Sequence, residues 1–259
     1  MSIQLQEFIQ ASQIIDRYYW TEAADAVYQD NEITAVKTFL NYPGCNVVLA
    51  HHVAEDQLAD QFNKINAFYG PSNYWSWEIF PWSTPKTLET FLTEQGLQKQ
   101  PGQKYYAKAL HDVTKPKLPH DLLIQRVETE QEMDQWLKPV IQAFQLDPQN
   151  AEFDIRSNKR LLQKPQRFVH YTGYLEDEPI LAAVFTCHPP YVRIDSIATL
   201  PRFQGKGYGR VFVERCLANA RGLGYEYAFL ATMPKTEGFY TTLEFQPIAS
   251  YYSMVKVRL

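Results

Sequence analysis

The order of predicted strands and helices occurs twice along this chain of 259 residues, and the repetition limits the folds that it can adopt. Each half has a strand, an amphipathic helix, a second strand, a short helix and a third strand. In the first half the predicted strands and short helix are 46–53, 73–80, 85–95 and 104–110. In the second half they are 191–200, 226–232, 238–245 and 250–257, after a helix near 130–145 and a pair of strands. Alternation of this kind predicts an α/β fold in which a mixed sheet is flanked by helices.

A segment with two prolines separates the halves. Residues 111–121 read HDVTKPKLPHD, and Pro116 and Pro119 each disfavour a helical conformation in the residue before them. We therefore expect a linker here, with a first domain over 1–115 and a second over 120–259, both of ordinary domain size.

Charge and cysteine content argue against several function classes. The net charge of −4 and the pI of about 5.9 give no strong positive field that would attract nucleic acid or an anionic membrane. None of the three cysteines forms a C-x-x-C pair, which argues against a zinc site or a disulfide framework. The sequence has no signal-peptide pattern and no apolar run of membrane-spanning length. We expect a cytoplasmic protein with no metal, no nucleic-acid partner and no membrane contact.

The most informative motif is a glycine-rich turn in the second half, DSIATLPRFQGKGYGR (195–210), between a predicted strand and a predicted helix. Glycine tolerates positive φ and lets a ligand approach the main chain closely. The N–H groups at the start of the helix then form an anion site that suits a phosphate or diphosphate. The spacing matches neither the Walker pattern nor the dinucleotide fingerprint. The first half has HHVAEDQLAD here, with Glu55 and Asp56 and no glycine, so we expect an anion site only in the second half.

These residues resemble a known family, the GNAT (GCN5-related N-acetyltransferase) enzymes. Residues 204–209 match the acetyl-CoA motif [RQ]-x-x-G-x-[GA], and the later segment FYTTLEF resembles [FL]-Y-x-x-x-G-F, with Tyr240 in the tyrosine position. The resemblance implies two GNAT-like domains in tandem, the first degenerate and without a coenzyme loop. Glu244 stands where the family usually has glycine, so we expect the turn after the short helix to be built differently.

The resemblance also implies an activity. Acetyl-CoA would be the co-substrate, and its acetyl group would pass by direct attack to a primary amine of a small molecule or peptide. Tyr240 would protonate the leaving thiolate, because a phenol holds its proton at neutral pH. The coenzyme would contact Ile197, Ala198 and Thr199 along its pantetheine arm, and Gln204, Gly205, Lys206, Gly207, Tyr208, Gly209 and Arg210 around its diphosphate.

Several alternatives remain open. The sequence singles out no general base; the candidates are a water chain or the side chains of Asp195, His170, His188 and Glu237. A second function class is a non-catalytic acyl-CoA-binding or regulatory module. A third is an aminoacyl-tRNA-dependent transferase, which the acidic balance disfavours. The aromatic segment YWSWEIFPW (74–82) is interpreted first as core packing, with an aromatic wall for the acceptor as the alternative.

Overall fold

The structure is a computed structural model that describes residues 3–71 and 73–256. Its helices are α1 (Leu5–Ala23), α2 (Leu58–Tyr69), α3 (Leu88–Glu94), α4 (Glu130–Phe144), α5 (Pro148–Leu162), α6 (Tyr208–Gly222) and α7 (Glu237–Thr242). Its strands in the first half are β1 (Ala26–Gln29), β2 (Thr34–Lys37), β3 (Val47–Leu49), β4 (Trp75–Ile79), β5 (Leu97–Lys99) and β6 (Gln103–Ala109). Those in the second half are β7 (Leu122–Arg126), β8 (Phe168–Leu175), β9 (Glu178–His188), β10 (Tyr191–Thr199), β11 (Tyr227–Thr232) and β12 (Gln246–Lys256).

The strands form one mixed sheet in the order β1-β2-β3-β4-β12-β6-β11-β10-β9-β8-β7, and β5 also pairs with β12. Two pairs are parallel, β3 with β4 and β10 with β11. A parallel pair needs a crossover connection, and here α2 and α6 provide it. The two parallel pairs are therefore the equivalent β-α-β units of the two halves.

The halves exchange strands near the middle of this sheet. β6 belongs to the first half of the sequence, yet it lies between β11 and the first part of β12, where Gln103 is paired with Tyr251. The second part of β12 lies between β4 and β5 of the first half, starting with Tyr252 opposite Ile79. The two halves consequently share a continuous sheet, and the boundary at 111–121 stays a prediction.

Helices cover both faces of the second half of the sheet because its central strands are apolar on both sides. Alternation along β9 sends Leu181, Ala183 and Phe185 to the core beneath α6, and Ala182 and Val184 to the core beneath α4. The apolar stripe predicted for α6 is buried as expected: Val213, Cys216, Leu217 and Ala220. This packing fixes the position of the first turn of α6 relative to the end of β10.

The predicted fold class is confirmed, since a mixed sheet with flanking helices is observed. The cysteines Cys45, Cys187 and Cys216 are buried free thiols. Over the described ranges, no helix combines the length and apolarity needed to cross a membrane.

Candidate active site

Strands β10 and β11 separate at the place predicted for the pantetheine arm. Their parallel pairing covers three residues, from Tyr191 to Arg193. Beyond it, the register of β10 against β9 shifts between Asp195 and Ala198, and Ser196 has a positive φ of 51°. Such a bulge bends a strand, and β11 meanwhile continues alongside β6. A ligand that enters between β10 and β11 therefore meets extended main chain.

The predicted arm residues lie just after this bulge. Ala198 is buried against the core beneath α4, whereas Ile197 and Thr199 are partly buried. Backbone groups of an extended edge can pair with a ligand as they would with another strand. The structure thus places Ile197, Ala198 and Thr199 together along the opening between the strands.

The three glycines of the turn have two different roles. Gly205 and Gly207 have φ values of 74° and 87°, which favour glycine, and no atom lies within 4 Å of a Cβ built on either residue. Gly209 has no such conformation, but a Cβ there would lie 2.9 Å from Oγ1 of Thr199. The first two glycines shape an open turn, and the third lets α6 approach the end of β10.

The turn exposes main chain at the positive end of α6. Residues 204–207 are exposed, and the first N–H groups of a helix have no acceptor within it. Gln204 Nε2 donates to the carbonyl oxygen of Thr199 at 3.0 Å, which ties the turn to β10. Arg210 Nε donates to Glu214 Oε1 at 2.9 Å, and Lys206 Nζ lies 5.2 Å from the centre of the Phe203 ring. The geometry therefore has the features of an anion site.

Tyr240 lies on α7, where its ring packs at 5.1 Å from that of Phe239 and 6.0 Å from that of Phe245. Burial, and secondarily the negative charge of Asp195, raise the pKa of Tyr240 to about 12. The phenol is therefore protonated at neutral pH, as a proton donor must be before it acts.

The turn after α7 corrects one expectation. Glu244 has a φ of 64°, the left-handed conformation that glycine favours at the end of a helix. Its N–H donates to the carbonyl of Thr241, and the N–H of Phe245 donates to that of Tyr240. These bonds form a glycine-type helix end, so the prediction of a differently built turn is wrong. The Glu244 carboxylate accepts from Lys108 Nζ at 2.7 Å.

A cleft of about 390 Å³ lies beside the bulge and is lined from both halves of the chain. Asp195, Ser196 and Ala231 contribute from the separating strands. Most of the remaining lining comes from α1, β4 with the residue that follows it, β6 and β12: Asp16, Tyr19, Trp20, Glu78, Phe80, Gln103, Tyr105, Tyr251 and Ser253. The strand exchange brings these elements together at the site.

A buried ion cluster forms one wall of the cleft. Arg193, 6% exposed, donates to the carboxylates of both Asp16 and Asp195, the latter at 2.6 Å from Nε. The hydroxyl of Tyr105 donates to the second oxygen of Asp16 at 2.8 Å. Burial raises the pKa of Asp16, although the Arg193 charge opposes the rise. The cluster links α1, β6 and β10.

Glu78 provides a third carboxyl group in the lining of the cleft. Its Oε1 accepts from the Ser253 hydroxyl at 2.9 Å, across the β4–β12 pair. Its Oε2 is out of contact with solvent and has no hydrogen-bond partner among the described residues. Burial raises the pKa of Glu78 to about 7, with Asp16 adding to the rise and the Ser253 bond opposing it.

The four side chains considered as general bases lie in different surroundings. His170 is completely buried, its Nε2 is 3.0 Å from Asn158 Oδ1, and burial lowers its pKa to about 3. Glu237 accepts from Lys104 and from the Tyr106 hydroxyl, and these bonds lower its pKa. These two groups have structural partners.

His188 and Asp195 complete the comparison. His188 packs edge-on against the ring of Tyr18 at 6.0 Å, and burial lowers its pKa. Asp195 does line the cleft, but it is paired with Arg193. Among the described residues, no group of three or more His, Cys, Asp or Glu side chains is placed to hold a metal ion.

The aromatic segment of the first half is divided between the core and the cleft. Trp75 and Trp77 are completely buried in the core of that half, as core packing predicts. Phe80, from the same segment, lines the cleft and stacks on Tyr251 at 4.8 Å and 17°. An aromatic wall therefore exists, formed by Phe80 with Tyr105 and Tyr251 rather than by the tryptophans.

Sequence reasoning missed Asp16 and Glu78. Each carries a signal that can be seen afterwards: Asp16 follows two isoleucines in an amphipathic helix, and Glu78 lies between Trp77 and Ile79 in a strand. A carboxylate in an apolar run needs a partner or a function. The packing of α1 and the exchange of strands, which bring both residues to one cleft with β10, have no comparable signal.

Residues 130–245 match the model of the acetyltransferase (GNAT) family. No curated protein matches the sequence.

Solved structures of GNAT proteins share the fold over most of the chain. A GCN5-related N-acetyltransferase from Kribbella flavida has a TM-score of 0.74 and 14% identity, covering 96% of this chain and 95% of that one. A GCN5-related N-acetyltransferase from Sphaerobacter thermophilus has a TM-score of 0.62 and 11% identity, over 87% and 76%. A tandem GNAT protein from the clavulanic acid biosynthesis pathway has a TM-score of 0.61 and 10% identity, over 93% and 87%. At these identities the likeness establishes the fold alone.

The family match and the fold agree with the motifs in the second half. The matched range contains the bulge of β10, the glycine turn, α6 and α7. The resemblance inferred from the sequence is confirmed. Residues 130–245 form a domain of the acetyltransferase (GNAT) family.

Proposed function

We propose that the protein is an N-acetyltransferase that moves the acetyl group of acetyl-CoA to a primary amine by direct attack. The main support is that β10 separates from β11 and then leads directly into the glycine turn. Together they offer an extended edge for a pantetheine arm and exposed N–H groups for a diphosphate.

In this proposal the coenzyme contacts are those expected from the sequence. The pantetheine arm runs beside Ile197, Ala198 and Thr199, and a main-chain N–H of β10 polarises the thioester carbonyl. The diphosphate is held by the main chain of 204–210. The open space at Gly205 and Gly207 supports this arrangement, because a Cβ built on either glycine meets no atom of the described residues within 4 Å.

Tyr240 is proposed as the acid that protonates the leaving thiolate. Its raised pKa keeps the proton on the phenol until negative charge develops on sulfur. Tyr240 packs against the same apolar core as Ile194 and Ile197 of β10, which supports a position near the bulge of that strand.

The first half is proposed to shape the acceptor site without binding a coenzyme of its own. Glu55 and Asp56 lie in the short helical turn that directly precedes α2. Their negative charges oppose the binding of an anion at the start of that helix. A cytoplasmic location is part of the proposal and agrees with the three buried free thiols.

The test combines binding with turnover. Acetyl-CoA at about 100 times its dissociation constant should add about 2.7 kcal/mol to the free energy of unfolding, seen as a rise in Tm. Release of free CoA is then followed with a panel of primary amines, in the wild type and in Tyr240→Phe. Amine-dependent release supports the enzyme. Tight binding without release on any amine would instead indicate the non-catalytic acyl-CoA-binding module.

A further inference from the structure

We propose that the cleft between the halves is the acceptor site, that it takes a primary amine on a compact apolar or aromatic body, and that Glu78 of the first half is the general base. This inference rests on the proposed function and adds the acceptor class and a catalytic residue to it. The cleft reaches Ser196 and Ala231, where β10 and β11 part, so an amine inside it faces the place proposed for the thioester.

Glu78 lines the cleft and has an oxygen to which no described residue donates a hydrogen bond, as a proton acceptor requires. The bond from Ser253 and the backbone pairing of β4 with β12 fix one carboxyl oxygen, and the other oxygen has no partner in the described part of the chain. A buried polar atom without a partner costs free energy, so it is retained where a ligand satisfies it. An ammonium group supplies the missing donor.

The chemistry of the walls selects the acceptor. Arg193 already donates to Asp16 and Asp195, so its guanidinium is not available to bind a carboxylate of the acceptor. Among the residues that the structure describes, three carboxyl groups and this one guanidinium line the cleft, and the excess of acidic groups favours a cationic acceptor. Phe80, Tyr105 and Tyr251 line the cleft with aromatic carbon, which packs against an apolar body. The volume of about 390 Å³ lies in the range of small-molecule sites.

The step balances without a further reactant. Glu78 takes one proton from the ammonium group, and the neutral nitrogen attacks the thioester carbonyl carbon. A C–N bond forms, the C–S bond breaks, and the sulfur takes the proton of Tyr240. The proton remaining on the amide nitrogen cation returns to the Tyr240 phenolate, directly or through solvent, and Glu78 releases its proton to solvent.

The pH dependence of this step depends on the groups that face Glu78. These are Asp16 and Tyr19 on α1, Tyr105 on β6, Arg193 and Asp195 on β10, and Tyr251 on β12. The Arg193 charge is engaged by the carboxylates of Asp16 and Asp195, so burial dominates and raises the pKa of Glu78 to about 7. We expect kcat/KM to rise with pH through this region as Glu78 ionises.

The experiment compares matched acceptors and matched variants. Phenylalanine is 2-phenylethylamine with an added carboxylate, so the cleft should give the amine at least a tenfold higher kcat/KM. Glu78→Gln should lower kcat/KM about 100-fold and remove the ascending limb near pH 7, because general bases contribute factors of this order. Glu78→Asp should recover part of the rate. Glu94→Gln, an exposed carboxyl group on α3, is the control and should match the wild type.

Two binding measurements distinguish a failure of the acceptor inference from a failure of the proposed function. Titration of 2-phenylethylamine into the protein without coenzyme should show binding that Glu78→Gln weakens at least tenfold, whether or not acetyl-CoA binds. Titration of acetyl-CoA should give equal affinities for wild type and Glu78→Gln. Unchanged amine binding and turnover in a folded Glu78→Gln variant would overturn the acceptor inference alone. Absence of acetyl-CoA binding to the wild type would overturn the proposed function, and amine binding would then stand on its own result.

Discussion

The buried Arg193 should be essential for stability, because it holds two carboxylates from different parts of the fold. Its side chain bonds Asp16 and Asp195, and its guanidinium carbon lies 5.1 Å from the ring centre of Tyr19. Removing one partner of a buried ion pair costs about 3–5 kcal/mol, since the other charge stays buried. We expect Arg193→Met to lower the free energy of unfolding by that amount.

A double-mutant cycle tests the cause. Asp16→Asn removes the buried negative charge and leaves an oxygen that can accept the Tyr105 hydroxyl bond. In the Arg193→Met background it should restore about 2 kcal/mol, although the same change alone destabilises the wild type. Urea unfolding followed by tryptophan fluorescence gives each value. The exposed pair of Arg156 with Glu152 is the control, and Arg156→Met should change the free energy by less than about 1 kcal/mol.

The pH dependence of the free energy of unfolding provides a second test of the same explanation. Burial already raises the pKa of Asp16, and losing Arg193 raises it further. The folded variant then binds a proton more readily than the unfolded chain, so its stability falls as pH rises. The deficit of Arg193→Met should therefore shrink on acidification. A loss below about 1 kcal/mol, or a deficit that neither Asp16→Asn nor acid reduces, would refute the reasoning.

Three further predictions concern single residues. Tyr240→Phe should lower kcat for amine acetylation by about 100-fold with the acetyl-CoA dissociation constant unchanged, because only the proton donor is lost; initial rates and calorimetry check this, and an unchanged kcat would exclude the acid role. Glu244→Gly should raise the free energy of unfolding by up to about 1 kcal/mol, since φ there is 64°; urea unfolding measures it, and destabilisation would contradict the strain argument. The folded-state pKa of Glu78 is raised from 4.5 to about 7, so its burial penalty is absent at low pH, grows between these two values and levels off above 7. Wild type should thus lose stability relative to Glu78→Gln between these pH values, and parallel pH profiles would contradict the raised pKa.

The fold class was predictable because it depends on patterns that are local in sequence. The stripe from Val213 to Ala220 and the glycines of the turn each specify an element without reference to the rest of the chain. The polar helix α5 and the short β7 were missed, because α5 has few apolar positions and β7 buries only Leu122. Long-range pairing has no local pattern at all, and the exchange of β6 and β12 follows from it.

The candidate site was also predictable only in part, for the same reason. The coenzyme side depends on a contiguous stretch, 195–210, and on Tyr240 close behind it, so the sequence alone suggests it. The acceptor side needs Asp16, Glu78 and Arg193, which are far apart in sequence and meet only after the sheet has formed. That side could not be derived from spacing.

The central claim is that the turn between β10 and α6 holds the diphosphate of coenzyme A. Gly207 and Gly224 lie at opposite ends of α6 and have φ values of 87° and 92°; a Cβ built on either would have no atom within 4 Å, so a substitution strains both equally. Calorimetric titration of acetyl-CoA into wild type, Gly207→Glu and Gly224→Glu is the direct test. We predict wild-type affinity for Gly224→Glu and at least a tenfold weaker affinity for Gly207→Glu. Equal affinities for the two variants would contradict the claim.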